Sequence, residues 1–107
     1  MNQQQNNQQQ QNQSQVQIKA SDEKLKGEYS NVMQILHTKE EFVLDFLNVF
    51  PPTGTLNGRI ILSPGHFKRM IGAMQENLKK YEEQFGSIAP SESPANNSQK
   101  IGFEERG

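Results

Sequence analysis

At Ser63-Pro64 one sequence pattern stops and another starts. Before the break, "GRIIL" (58–62) has the branched residues of a strand; after it, Phe67, Ile71, Met74, Leu78, Tyr81 and Phe85 recur at spacings of 4, 3, 4, 3 and 4, with Met70 beside them. That recurrence is the apolar stripe of an amphipathic helix. Ser63 is a good N-cap, and Pro64 suits the first helical position, where its missing N–H would lack a partner anyway. Gly86 follows the last periodic residue and can adopt the backbone conformation that ends a helix. The helix is therefore expected from Pro64 to Phe85, about 33 Å long at 1.5 Å per residue.

Upstream, "YSNVMQILHT" (29–38) and "EFVLDFLNVF" (41–50) are rich in branched and aromatic residues and are parted by little more than Lys39-Glu40. They predict a hairpin. Pro51 and Pro52 stop the second strand, "PPTGTLN" (51–57) reads as a turn stretch, and Gly58 to Leu62 is the third strand. The expected fold class is α+β: a three-stranded antiparallel meander followed by one long amphipathic C-terminal helix, with disordered tails at both ends. Residues 28–88 form this small domain. Residues 1–27 are a Gln/Asn-rich and then charged tail, and 89–107 a Pro-, Ser- and Asn-rich one. The Gln/Asn tract reads as a solvated spacer, with amide-ladder self-association as the alternative. In the C-terminal tail, Ile101 and Phe103 form an apolar pair that suits a short docking motif.

Register follows from the apolar pattern, because a slip of one residue turns every side chain to the other face. A two-residue turn at Lys39-Glu40 pairs Phe42 with His37, Leu44 with Ile35 and Phe46 with Met33. A second turn near Pro52 pairs Phe42 with Leu62 and Leu44 with Ile60. One face then holds Met33, Ile35, Phe42, Leu44, Phe46, Ile60 and Leu62, which the helix stripe is expected to cover. The other face is also apolar: Val32, Leu36, Val43, Leu47, Val49 and Ile61 stand on it beside Gln34 and a cross-strand Asp45–Arg59 pair. One helix can cover only one face. The second face is thus a candidate interface.

A domain of about 60 residues buries only about 60% of its unfolded surface, so a lone copy is marginal. The chain has no cysteine and two histidines, which leaves neither a disulfide nor an expected structural zinc site. Assembly into a homodimer or higher homo-oligomer is the remaining support. Charge order on the helix points the same way: Lys68 and Arg69 lie early and Glu82 and Glu83 late, against the helix dipole. An antiparallel partner helix would reverse that effect by setting Arg69 near Glu83 of the second copy. Arg69, Met74, Leu78, Tyr81 and Glu83 therefore join the candidate interface, and Gly72 permits close approach at mid-helix.

With a formal net charge of −1 over 107 residues, the chain lacks the basic excess that nucleic-acid and anionic-membrane binding usually need. The amino terminus has neither the charged start nor the apolar run of a secretory signal, and no stretch is long enough to span a membrane. A cytoplasmic location is expected. Ser63 and His66 are close in sequence, but Ser before Pro at a helix start reads as a cap, not a nucleophile. There is no Gly-rich phosphate loop, no metalloprotease motif and no pair of acids with a plausible cleft, so neither an enzyme nor a cofactor is expected. One binding idea remains: Gly65, His66, Lys68 and Arg69 around the helix N-terminus have a composition suited to an anion.

"YSNVMQILHTKEEFVLDF" and "RIILSPGHFKRMIGAMQENLKKYEEQFG" together resemble the prokaryotic family called domain of unknown function 3467. "RIILSP", the histidine that follows and the basic amphipathic helix with "KYE" are its most specific part. The resemblance spans about Glu28 to Ile88 and implies the same fold. Its members often carry an acidic residue where this chain has Gly65, so the resemblance also implies a lost capping carboxylate here. It brings no activity, substrate or site. The expected role is a non-enzymatic interaction module. The alternatives are a chaperone-like or adaptor protein that binds apolar peptide segments on the second sheet face and, further off, a nucleic-acid-associated regulator using His66, Lys68 and Arg69.

Overall fold

The computed structural model describes residues 15–95 and 101–103. A short helix, α1 (Asp22–Lys26), precedes three strands, β1 (Val32–His37), β2 (Phe42–Phe50) and β3 (Thr53–Leu62), and a 22-residue helix, α2 (Pro64–Phe85). The strands form one antiparallel sheet in the order β1-β2-β3. The meander and the terminal helix are those expected, and so is the register: Leu44 pairs with Ile35 and Ile60, Phe42 with His37 and Leu62, Asp45 with Arg59.

Three local features differ from the sequence reading. The first is α1, which forms inside the charged approach "SDEKLKGE" because the Ser21 hydroxyl accepts from the Lys24 N–H (3.2 Å) and Gly27 ends the turn at a φ of 78°. The second is β3, which starts at Thr53, so only the cis-linked Pro51-Pro52 forms the turn. Phe46 pairs with Gly58 but Leu47 with Leu56, which leaves Asn57 as the extra residue of a β-bulge. Thr53–Asn57 thereby extends the strand without changing the register of 58–62. Asn57 Nδ2 donates to the Tyr29 carbonyl and ties the bulge to the approach of β1.

The third concerns the tails. Residues 15–20 and 89–95 have no regular structure, yet Pro94, Ala95 and Ile101 are half-buried. The expectation of disorder for 1–14, 96–100 and 104–107, including most of the Gln/Asn tract, lies outside the described residues.

Hairpin ends are closed by short polar side chains. Thr38 donates its N–H to the Glu41 carbonyl (2.9 Å), and its hydroxyl accepts from the Glu40 and Glu41 N–H groups (3.1 and 3.2 Å). At the start of β1, the Asn31 side chain accepts from the Val49 N–H (2.8 Å) and donates to the Val49 carbonyl (3.0 Å). This amide continues the ladder one rung beyond the strand. The Ser30 hydroxyl lies 3.0 Å from the carbonyls of Leu47 and Val32. Among the described residues the buried side chains, Leu44, Asp45, Leu47 and Val49, all belong to β2. A single sheet layer shields only its central strand, and both flanking strands stay partly wet.

Candidate interaction surfaces

The helix is held at both ends as its sequence predicts. The Ser63 hydroxyl accepts from the His66 N–H (3.2 Å), Pro64 occupies the first turn, and Gly86 donates to the Glu82 carbonyl (2.9 Å) at a φ of 96°. Between those caps no residue of α2 is buried. Phe67 stacks on Phe42 with ring centroids 4.0 Å apart, and Met70 is half-buried, so the first two turns dock on the first sheet face. Beyond them Ile71, Met74, Leu78, Tyr81 and Phe85 keep 39 to 65% of their surface exposed. The expected covering of that face is therefore partial. Met33, Ile35 and Ile60 on the sheet remain exposed too. Two apolar surfaces that a lone chain should bury stay open, because the helix is anchored by one aromatic stack near its start.

The candidate interface residues of the helix do not share one side. At about 100° per residue, Arg69 and Glu83 lie about 150° or more from the centre of the stripe, and Gly72 nearly as far. Met74, Leu78 and Tyr81 lie on it. In a seam built on the stripe, Arg69 and Glu83 therefore cannot reach each other, and the helix dipole gains nothing from such a pair. The Lys80–Glu76 pair (3.6 Å) also belongs to the solvated side and contributes little.

The second sheet face is graded. Leu47 and Val49 are buried within the chain and have little surface to offer, Val32 and Val43 are half-buried, and Leu36 and Ile61 are exposed. Across its middle run Gln34, Asp45 and Arg59, one from each strand in register. Arg59 donates to Asp45 through Nε (2.7 Å) and Nη2 (2.9 Å), a bidentate fork. Asp45 is fully covered, whereas the Arg59 side chain is 47% exposed. Its hydrogen bonds to Arg59, helped by the guanidinium charge and opposed by burial, hold the Asp45 carboxyl below its ordinary value of 3.8. The Gln34 Oε1 beside it is buried without a hydrogen-bond partner.

A depressed folded pKa means that the unfolded chain holds the extra proton between the folded value and 3.8. The pair's contribution is complete well above 3.8 and is lost as pH falls through the folded value. Denaturant midpoints measured down this acid limb should fall more steeply for the natural chain than for Asp45→Asn, which keeps the shape but cannot ionise. Parallel limbs would show that the pair adds no pH-dependent stability.

At the helix N-terminus, Arg69 Nη2 lies 3.4 Å from His66 Nδ1, and Gly65, Lys68 and both these residues are exposed. The Ser63 cap already satisfies the His66 N–H. Among the described residues no further side-chain hydrogen bond or ion pair joins this cluster. Among the described residues there is also no group of three or more His, Cys, Asp or Glu arranged to hold a metal, and no helix long and apolar enough to cross a membrane.

A family model described as "Protein of unknown function (DUF3467)" matches residues 1–90. No curated protein and no solved structure matches the chain.

Proposed function

We propose, from the premise that the chain belongs to the DUF3467 family of proteins of unknown function, that it acts as a non-enzymatic, homo-oligomeric protein-interaction module. The observation that carries this reading is a 22-residue helix with no buried residue and an apolar stripe open along most of its length. An apolar stripe of this kind needs a partner surface. A second copy supplies a self-complementary one. With the helices antiparallel and a two-fold axis crossing near Glu76, Phe67 meets Phe85, Ile71 meets Tyr81 and Met74 meets Leu78 of the other chain. Lys68 and Glu82 flank the stripe on the same side, so opposite charges come together at the seam's edge.

The test is the mass of the full chain in solution, by light scattering over a dilution series. A dimer that persists on dilution is expected. A monomer at every concentration would rule out the homo-oligomer and make the stripe a surface for a different protein.

A further inference from the structure

Described parts of the segment after α2 reach the sheet. Ser91, Glu92 and Pro94 line a cleft with Tyr29, Met33 and Phe46, which brings the segment after α2 back beside the start of β1. Further on, the Phe103 ring lies with its centroid 5.6 Å from the Arg59 guanidinium carbon, and Ile101 is half-buried. Arg59 is the exposed member of the Asp45 pair at the centre of the second sheet face. A guanidinium held by a two-point carboxylate contact is fixed in orientation, and a fixed cation presents one flat side to an aromatic ring. Part of the cost of ordering an arginine side chain is thereby met before any ring arrives.

We propose that the second sheet face is a docking site for an aromatic side chain in a short apolar segment, and that Ile101-Gly102-Phe103 of the same chain is its resident occupant. Arg59, positioned by Asp45, is the plate that receives the ring. The exposed apolar residues on the same face, Leu36 and Ile61, offer contact area to the rest of such a segment. The tail then acts as a built-in competitor: the Arg59 position is taken while Phe103 is seated and is freed when the tail leaves, with Leu36 and Ile61 exposed throughout. Because this site lies on the sheet and not on the α2 stripe, it stands or falls independently of the helix-to-helix dimer.

The experiment reads the Arg59 Nε–Hε resonance of the full chain by NMR. Phe103 is 51% exposed and outside the strands and helices, so Phe103→Ala leaves the fold intact. Removing a ring beside the guanidinium should move that resonance, and Phe103→Tyr should keep it near its original position. A synthetic peptide with the sequence of residues 98–107, added to the Phe103→Ala chain, should return the resonance toward its natural position. The natural chain should respond to the same peptide only at higher concentration, about tenfold higher if its Arg59 position is free about a tenth of the time. An Arg59 resonance indifferent to Phe103→Ala would overturn the proposal. So would equal peptide affinity for the two chains, or a natural-chain resonance that reverts to the Phe103→Ala position on dilution, since the tail would then be docking on a second copy.

Discussion

If α2 pairs with α2 of a second copy as proposed, Leu78→Glu is expected to bring the chain to monomer mass at concentrations where the natural chain gives dimer mass. In the single chain Leu78 is 48% exposed, so the substitution should cost the monomer within about 0.5 kcal/mol, as surface changes generally do. In an antiparallel seam the same position is central. A carboxylate buried there without a partner costs about 3–5 kcal/mol, and two-fold symmetry introduces two of them. The dissociation constant should therefore rise about ten-thousandfold or more. Circular dichroism should show a retained sheet and some loss of helix, because a helix of this length is marginal when nothing packs on it. Arg69→Glu is the matching control. It lies on the far side of the helix, so it should leave the mass unchanged while improving the charge order at the N-terminus by about 0.3–1 kcal/mol. A dimer that survives Leu78→Glu, or one lost in Arg69→Glu, would place the interface away from the stripe.

Leu44→Ala should have the largest effect on stability of any single truncation. Leu44 is 2% exposed in the middle strand, with Ile35 and Ile60 paired to it on either side. Truncating a buried leucine to alanine costs about 2–5 kcal/mol. A domain of about 60 residues has roughly 3–5 kcal/mol to lose. The variant should show a sharply lowered urea midpoint or be largely unfolded in water at low concentration, with partial rescue at high concentration if dimerisation is coupled to folding. Ile60→Ala, on the same face but half exposed, should cost markedly less. Equal losses at the two positions would mean that the core is not centred on β2.

The parts of the fold that were legible in the sequence are those set by local chemistry. Ser63-Pro64 and Gly86 bound the helix because caps act within one turn. The β2 register was readable because two turns and one alternating apolar pattern had to agree, and the Asp45–Arg59 pair followed from it. Helix α1 was equally legible in principle: Ser21, then Asp22 and Glu23 early, Lys24 and Lys26 late, and Gly27 after them. The bulge at Asn57 was not, since a single extra residue leaves the apolar alternation of 58–62 untouched. How far α2 covers the sheet was also beyond periodicity, which reports the side of a helix that is apolar and not where that side is aimed. Periodicity did contain the reason that Arg69 and Glu83 leave the seam. For the tail, Ile101 and Phe103 were visible as an apolar pair, but their destination depends on Arg59, more than 40 residues away.

β2 has nine residues and β1 six, so the longer strand overhangs its neighbour at Asn48–Phe50. An overhang of bare backbone is a template: any extended segment can add to it by hydrogen bonds that ignore side-chain identity. The Asn31 amide occupies both backbone groups of Val49 and fills that notch with a side chain. The same chain carries a Gln/Asn-rich tract tethered a short distance upstream, whose own amides are suited to strand addition and ladder growth. Asn31 is thus a plug made of the same amide chemistry as that tract: it takes up the two backbone groups of Val49 that an added strand would need.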